Sequence, residues 1–402
     1  MAALPSQAPL FPLIFSRLFA SDRGPGNPGA VWIQGVSVGE VEVALTLAEL
    51  LSSLDPGLPL LFTSTTPAGV GLLSRRRPGA WRPFPLDFPS SVRRFFDATR
   101  PRLLVLVETE LWPAVLGEAK RRAIPVLVVN ARLSERSARR YRRIARLFGG
   151  SWDALTRVLA RTREDAARFE EIGVPPARIA VGGDLKFDRA PVPAPAFAGR
   201  LRRLAGGRPI LVAGSIAESE IPLVLEVRHR LSLDAAGVFL VLAPRQPESF
   251  DTAERRARAD GLAVVRRSSL EEPERERADV FLLDSVGELA GTYALGEAAL
   301  LGGSFAPKGG HNVLEPLRAG APVVHGPSTD NIRSALEAAE GAVFAAADAR
   351  SAADALRPLL TETAARARAT AITRHLFAGH AGAARTAAEA ALQLASSGAP
   401  GA

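Results

Sequence analysis

Cysteine is absent from the 402 residues. Disulfide bridges, thiolate metal sites and a cysteine nucleophile are excluded together. The five histidines, His229, His311, His325, His375 and His380, show neither HxxxH nor HxH spacing, so no metal site is expected from them. No stretch approaches the roughly 20 apolar residues that a bilayer-crossing helix requires. The nearest, PLFPLIFSRLFA from Pro9 to Ala20, is short and broken by Arg17. Its Leu10, Phe11, Leu13, Ile14, Phe15, Leu18 and Phe19 suit an amphipathic helix that lies in a membrane interface or packs on the protein body. A basic n-region and a small-residue cleavage site are missing, which argues against a signal peptide. GxGxxG and P-loop motifs are missing too, which argues against a nicotinamide dehydrogenase or a P-loop kinase.

What is present is a chain long enough for two domains, with ordinary globular proportions of 47% hydrophobic and 23% charged residues. The net charge of +8, carried mostly by arginine, favours anionic partners such as nucleotides, phosphorylated glycolipids or membrane head groups, although GC-rich coding would give the same arginine bias. From Val31 onward, continuous apolar runs alternate with amphipathic helical stretches: VWI, LPLLF, LLVLV, VLVV, ILV, VFLVL, VFLL, AALL and VV. Strands buried on both faces, with helices between them, imply parallel α/β sheets. The alternating Pro and Ala of DRAPVPAPAFAGR interrupt the series. The expected organisation is an N-terminal membrane-associating segment over 1–27, one α/β domain over 28–188, a linker over 189–208, a second α/β domain over 209–370, and C-terminal helices with a tail over 371–402. Two doubly wound, Rossmann-like sheets would face a shared cleft with the loops that follow their strands.

Chemistry-bearing residues fall in those loops. Strand VWIQGV runs into Ser37-Val38-Gly39-Glu40 at a helix start, where the helix dipole favours the carboxylate; helix capping is the plain alternative. LLVLV ends in Glu108-Thr109-Glu110-Leu111-Trp112-Pro113, and Glu108 is the better candidate because Glu110 suits a cap. Asn130-Ala131-Arg132 and Gly183-Asp184-Leu185-Lys186-Phe187-Asp188 follow, the lysine able to meet a leaving group or a substrate carboxylate. The second domain reads as a nucleotide holder. Gly214-Ser215 offers backbone N–H groups at an expected helix start, and Pro244-Arg245 presents a guanidinium at the sheet edge. Val286-Gly287-Glu288, Gly302-Gly303-Ser304, Gly309-Gly310-His311-Asn312 and Glu315 supply turns, a helix start for phosphate and a carboxylate for ribose hydroxyls. Arg136, Arg139, Arg140, Arg142, Arg143 and Arg146 lie on one expected helix, with Arg139, Arg142, Arg143 and Arg146 on a common face. Such a helix suits lipid phosphates or plain solvation.

The runs SVGE, ETELWP, NARLSERS, LKFD, PRQPESF, VGEL and GGSFAPKGGHNVLEP, in this order, resemble the 3-deoxy-D-manno-octulosonic acid (Kdo) transferases from about residue 30 to about residue 345. The resemblance implies a GT-B fold and inverting transfer of Kdo from CMP-Kdo to the lipid A precursor lipid IVA in lipopolysaccharide biosynthesis. No cofactor beyond the donor substrate is expected, and the arginine-rich helix together with Leu10 to Phe19 supports a peripheral position on the cytoplasmic face of the inner membrane. By position, Glu40 matches the general base, and Glu108 and Lys186 match residues that stabilise the transition state. Pro244, Arg245, Val286, Gly287, Glu288, Asn312, Val313, Leu314 and Glu315 match CMP contacts, to which Ser215 is added from its own setting. The short, interrupted N-terminal region departs from the family pattern, as do Gln34-Gly35 before VSVGE and Gln246 after the Pro-Arg pair. The competing readings are another GT-B enzyme that uses a UDP-sugar, as transferase or epimerase, and a non-catalytic nucleotide-sugar or nucleic-acid binding protein. The acids at Glu40 and Glu108 argue against the binder, and no aromatic-basic platform supports nucleic acid.

Overall fold

The computed structural model describes residues 28–397 apart from 110, 148–150, 191, 233–236 and 271–277. The segment 1–27, Glu110 and the last five residues, including the expected tail, lie outside that set. The described residues form two compact units, one ending at Arg189 and resuming at His380, the other spanning Ala190–Gly379.

The first unit is built on seven parallel strands: β1 (Val31–Gln34), β2 (Leu60–Ser64), β3 (Trp81–Pro83), β4 (Leu103–Val107), β5 (Val126–Ala131), β6 (Leu155–Ala160) and β7 (Ile179–Val181). Their order is β3-β2-β1-β4-β5-β6-β7. The direction of winding therefore reverses between β1 and β4, the place where open α/β sheets present their ligand loops. Alternate strand residues serve the two faces. Val31, Ile33, Val105 and Leu127 pack with helix α1 (Val38–Leu54), while Trp32, Leu104, Leu106 and Val128 pack against Phe84, Phe95 and Phe96. This two-sided burial is why the strands read as unbroken apolar runs.

The second unit repeats the plan with β8 (Ile210–Ile216), β9 (Phe239–Pro244), β10 (Val264–Arg266), β11 (Val280–Leu282), β12 (Ala298–Leu301), β13 (Val323–His325) and β14 (Val343–Ala345), in the order β10-β11-β9-β8-β12-β13-β14. Winding reverses here between β8 and β12. The α/β class and the two sheets agree with the sequence reading.

Three boundaries differ from it. The expected linker contains a helix, Ala198–Ala205, which belongs to the second unit: Leu201 and Leu204 are buried, Phe197 just before it lies 5.4 Å from Phe281, and Gly206 ends it at a φ of 60°. The final helix, Ala383–Ser397, belongs to the first unit. Its buried stripe of Ala383, Ala384, Ala387, Ala388, Ala390, Ala391 and Ala395 lets it approach α1 closely. Finally, Gly214 and Ser215 are not at a helix start but inside β8, and the next α-helix begins at Ile221. Gly214 is required there for space, because a Cβ would lie 1.9 Å from the hydroxyl of the buried Tyr293.

Candidate active site

In the first unit the predicted catalytic residues gather at the C-terminal ends of β1, β4 and β7. Ser37 caps α1 by accepting a hydrogen bond from the Glu40 N–H at 3.3 Å. Glu40 returns both oxygens to the turn, accepting from the Val36 N–H at 2.8 Å and from the Ser37 hydroxyl at 2.8 Å. The capping alternative is therefore realised. Capping does not exhaust the group, because burial raises its pKa above the ordinary carboxylate value. The two hydrogen bonds oppose that rise, and the charge of Glu108 adds to it. Gly35 permits this tight turn, since a Cβ there would meet the Glu40 carbonyl carbon at 3.0 Å.

Glu108 takes a left-handed φ of 64° immediately after β4, a conformation a non-glycine residue adopts at a cost of order 1 kcal/mol or more. Its N–H donates to the Val129 carbonyl at 3.0 Å, and its carboxylate accepts from the Lys186 ammonium at 2.8 Å. Lys186 comes from the 3-10 turn Leu185–Phe187, far along the chain. Asn130 fixes that turn: wholly buried and itself at φ 52°, it accepts from the Leu185 N–H at 2.9 Å. Asp184 caps the same turn through the Lys186 N–H at 2.9 Å and meets Arg161 at 3.2 Å. Glu40, Glu108 and Lys186 thus form one charged cluster, one acid paired and the other held protonatable. Asn130 and Asp184 are the supports.

Beside this cluster, Trp112 and Pro113 of the ETELWP run serve the fold. Trp112 packs 5.5 Å from Phe84, and Pro113 opens the helix Pro113–Arg121. The basic helix, Glu135–Leu147, presents Arg136, Arg139, Arg140, Arg142 and Arg143 to solvent, while Ala138 and Tyr141 face the core; the Arg146 side chain lies outside the described set.

In the second unit the predicted donor residues line the strand ends. Pro244 closes β9, and the Arg245 N–H donates to the Ile216 carbonyl at 2.9 Å while its side chain is exposed. Ser215 turns the chain within β8 at φ 56°. Val286 is 78% exposed, an unusual setting for a branched apolar side chain, and Gly287 sits at φ 96°. Glu288 is held by Arg267 at 3.1 Å and by the Ser285 hydroxyl. Asn312 accepts from the Leu314 N–H at 3.1 Å and donates to Glu315 at 3.0 Å, opening the short helix Leu314–Arg318, in which Val313 and Leu314 are buried.

Sequence reasoning missed Glu220. Only 3% exposed, its carboxylate accepts four backbone N–H bonds: Ala217 at 2.8 Å, Gly303 at 2.7 Å, Phe305 at 2.9 Å and Ala306 at 3.1 Å. Three of these donors lie in the glycine-rich run read as a phosphate seat, so a side chain of the protein already fills the Gly303 end of that run. Gly302 and Gly303 are there for close approach, since Cβ atoms would meet the Ser215 carbonyl at 2.1 Å and the His311 ring at 2.5 Å. The candidate phosphate contacts left are Arg245 and the turn at Asn312. His311 was likewise not assigned; burial lowers its pKa, and the charges of Arg245 and Lys308 lower it further. The charge of the Glu220 carboxylate opposes that lowering. Among the described residues, no three histidine or carboxylate side chains gather to hold a metal ion.

Comparison with known proteins bears on the family and the fold. The family model described as 3-deoxy-D-manno-octulosonic-acid transferase (kdotransferase) matches residues 14–189. The 3-deoxy-D-manno-octulosonic acid transferase of Bordetella pertussis is 37% identical over 91% of this chain and 88% of that protein. The transferase of the same name from Aquifex aeolicus is 30% identical over 82% of this chain and 86% of that protein. Among solved structures, a UDP-GlcNAc 2-epimerase from Neisseria meningitidis superposes with a TM-score of 0.58 at 12% identity, covering 90% of this chain and all 100% of the other. A glycosyltransferase from Rickettsia africae gives 0.57 at 11% identity, over 94% and 100%. At such identities these two show the fold alone, which is GT-B.

Proposed function

Because the chain belongs to the 3-deoxy-D-manno-octulosonic-acid transferase family of glycosyltransferases, we propose that it transfers Kdo from CMP-Kdo to lipid IVA with inversion at the anomeric carbon. The observation that carries this reading is the Glu40–Glu108–Lys186 cluster at the reversal of winding in the first sheet. A hydroxyl of the acceptor sugar attacks the anomeric carbon as the bond to the CMP phosphate breaks. Glu40 takes the hydroxyl proton, CMP departs with the bonding electron pair, and the sugar passes through oxocarbenium character as in glycoside chemistry generally. A base whose pKa is raised toward the working pH accepts that proton with more driving force than an ordinary carboxylate. Glu108, fixed by Lys186, opposes the developing positive charge on the sugar.

The second unit supplies the donor contacts in this reading. Arg245 meets the phosphate, a guanidinium being suited to its oxygens. The turn at Asn312 faces it with backbone N–H groups, and Glu315 and Glu288 are placed for ribose hydroxyls. With the Arg245 guanidinium and the backbone N–H groups available to the leaving phosphate, turnover is expected to need no added divalent metal. The exposed arginines of Glu135–Leu147 suit an anionic membrane surface and the phosphates of the acceptor. Among the described residues no helix is long and apolar enough to cross a bilayer. We place the enzyme peripherally at the cytoplasmic face of the inner membrane.

The test is transfer from CMP-Kdo, generated in situ, to lipid IVA by wild type and by Glu40→Gln. The wild type is expected to form product with or without EDTA, and the folded variant to lose about 10²–10⁴-fold in kcat. A folded wild type that forms no product would overturn the donor and acceptor assignment. EDTA inhibition reversed by Mg²⁺ would overturn the metal-free mechanism.

A further inference from the structure

We propose that Glu220 is a positioning residue for the donor nucleotide, a staple that joins the two loops flanking the switch point of the second sheet. The inference rests on the donor-binding reading of this unit. A buried carboxylate saturated by four N–H groups is a costly element, because removing it leaves several buried donors without acceptors. Its four donors come from two separate segments. Ala217 lies in the loop after β8, and Gly303, Phe305 and Ala306 lie in the loop after β12. β8 and β12 are hydrogen-bonded neighbours across which the winding reverses.

Each tied loop leads directly to assigned donor contacts. On one side, the Ile216 carbonyl accepts from the Arg245 N–H at 2.9 Å, one residue from the stapled Ala217. On the other, Gly303 accepts through its carbonyl from the Gly310 N–H at 2.8 Å, and Gly302 accepts from the His311 N–H at 3.3 Å. The loop is thereby folded back so that His311 and Asn312 follow at once. Arg245 and the Asn312–Glu315 turn are thus each a single hydrogen bond or a few residues from the ends of the same carboxylate. A residue that does this sets the separation of the phosphate and ribose contacts without touching either.

The prediction is a selective loss. Glu220→Gln keeps the volume but leaves one acceptor oxygen and turns an NH₂ group toward backbone donors. We expect the folded variant to bind CMP at least about 10-fold more weakly by calorimetry, a factor of ten corresponding to 1.4 kcal/mol. The KM for CMP-Kdo should rise in parallel, while the KM for lipid IVA stays at the wild-type value. Ala217→Pro provides a second, milder break. The φ of −67° at Ala217 already suits proline, and the change removes one N–H from the staple without altering the carboxylate. It should weaken CMP binding in the same direction by a few-fold, and it carries the test should Glu220→Gln fail to fold. Unchanged CMP affinity in the folded variants overturns the proposal and leaves the donor reading intact. Equal losses for donor and acceptor, with a collapsed melting temperature, reduce Glu220 to a general stabiliser and overturn it as well. A wild type that binds no CMP overturns the donor reading and the staple with it.

Discussion

At the scale of single residues, the proposed chemistry depends on how two neighbouring acids, Glu40 and Glu108, are made unequal. Glu108 has a cationic partner at 2.8 Å, whereas Glu40 is held by the neutral donors of Val36 and Ser37, and burial raises its pKa. Since the base must be ionised to work, kcat/KM should climb with pH through the raised Glu40 value and level off above it. Glu108→Gln removes a negative neighbour and releases Lys186, and both changes favour the Glu40 carboxylate. The Glu40 titration, followed by ¹³C NMR of its carboxyl carbon, should therefore move to lower pH in that variant; an unmoved or raised titration would show that the two acids are not coupled. Glu108 stood out in the sequence because a charge that follows a fully apolar strand has few structural reasons to be there, whereas Glu40 read equally as a helix cap and Lys186 was singled out by the family resemblance. The pairing of Glu108 with Lys186 was not legible, because the contact spans 78 positions and depends on Asn130 holding the turn at Leu185. Glu220 gave no comparable signal: within AESEIP it looks like any acid at the start of a helix.

At the scale of elements, the motif Leu185-Lys186-Phe187-Asp188 does two jobs within four residues. Lys186 meets Glu108, and Asp188 caps the final helix, accepting from the Gly382 N–H at 2.7 Å and the Ala384 N–H at 2.5 Å. Phe187 stacks on His380 at 4.5 Å beside them. Asp188→Ala should cost about 1–2 kcal/mol, the usual worth of a lost N-terminal cap, seen as a lower thermal midpoint with kcat little changed. A large fall in kcat at unchanged stability would show instead that the cap governs Lys186. The double use explains why the motif stood out, while the helix it caps was read as a terminal appendage. A helix whose buried stripe is all alanine carries little hydrophobic contrast. The short outer strands escaped for a related reason. β3, β7, β10 and β14 have three residues each, and the Thr156 and Arg157 of β6 are exposed, so none reads as an apolar run. Of the central strands, buried on both sides, β4 and β12 were read with their observed bounds, while β8 was read as ending at Val212 instead of Ile216.

At the scale of the whole molecule, the proposed membrane contact can be tested on the exposed arginines. Arg139, Arg142 and Arg143 are solvent-facing on a helix whose other side is anchored by Ala138 and Tyr141. Replacing the three by serine should weaken binding to vesicles containing anionic lipid by about 1 kcal/mol per residue, with no change on neutral vesicles. Equal binding on both would assign these arginines to solvation alone.

The return of the helix Ala383–Ser397 to the unit that began the chain also bears on how the protein is made. Domains ordinarily complete themselves in the order in which they emerge from the ribosome. Here Ala190–Gly379 is an uninterrupted stretch, whereas the sheet that carries Glu40 and Glu108 lacks one of its covering helices until Ala383–Ser397 has been synthesised. The first unit is therefore completed only after the second has emerged. Until then the apolar cluster that holds Val43, Leu47 and Leu51 of α1 lacks the alanine stripe that completes it.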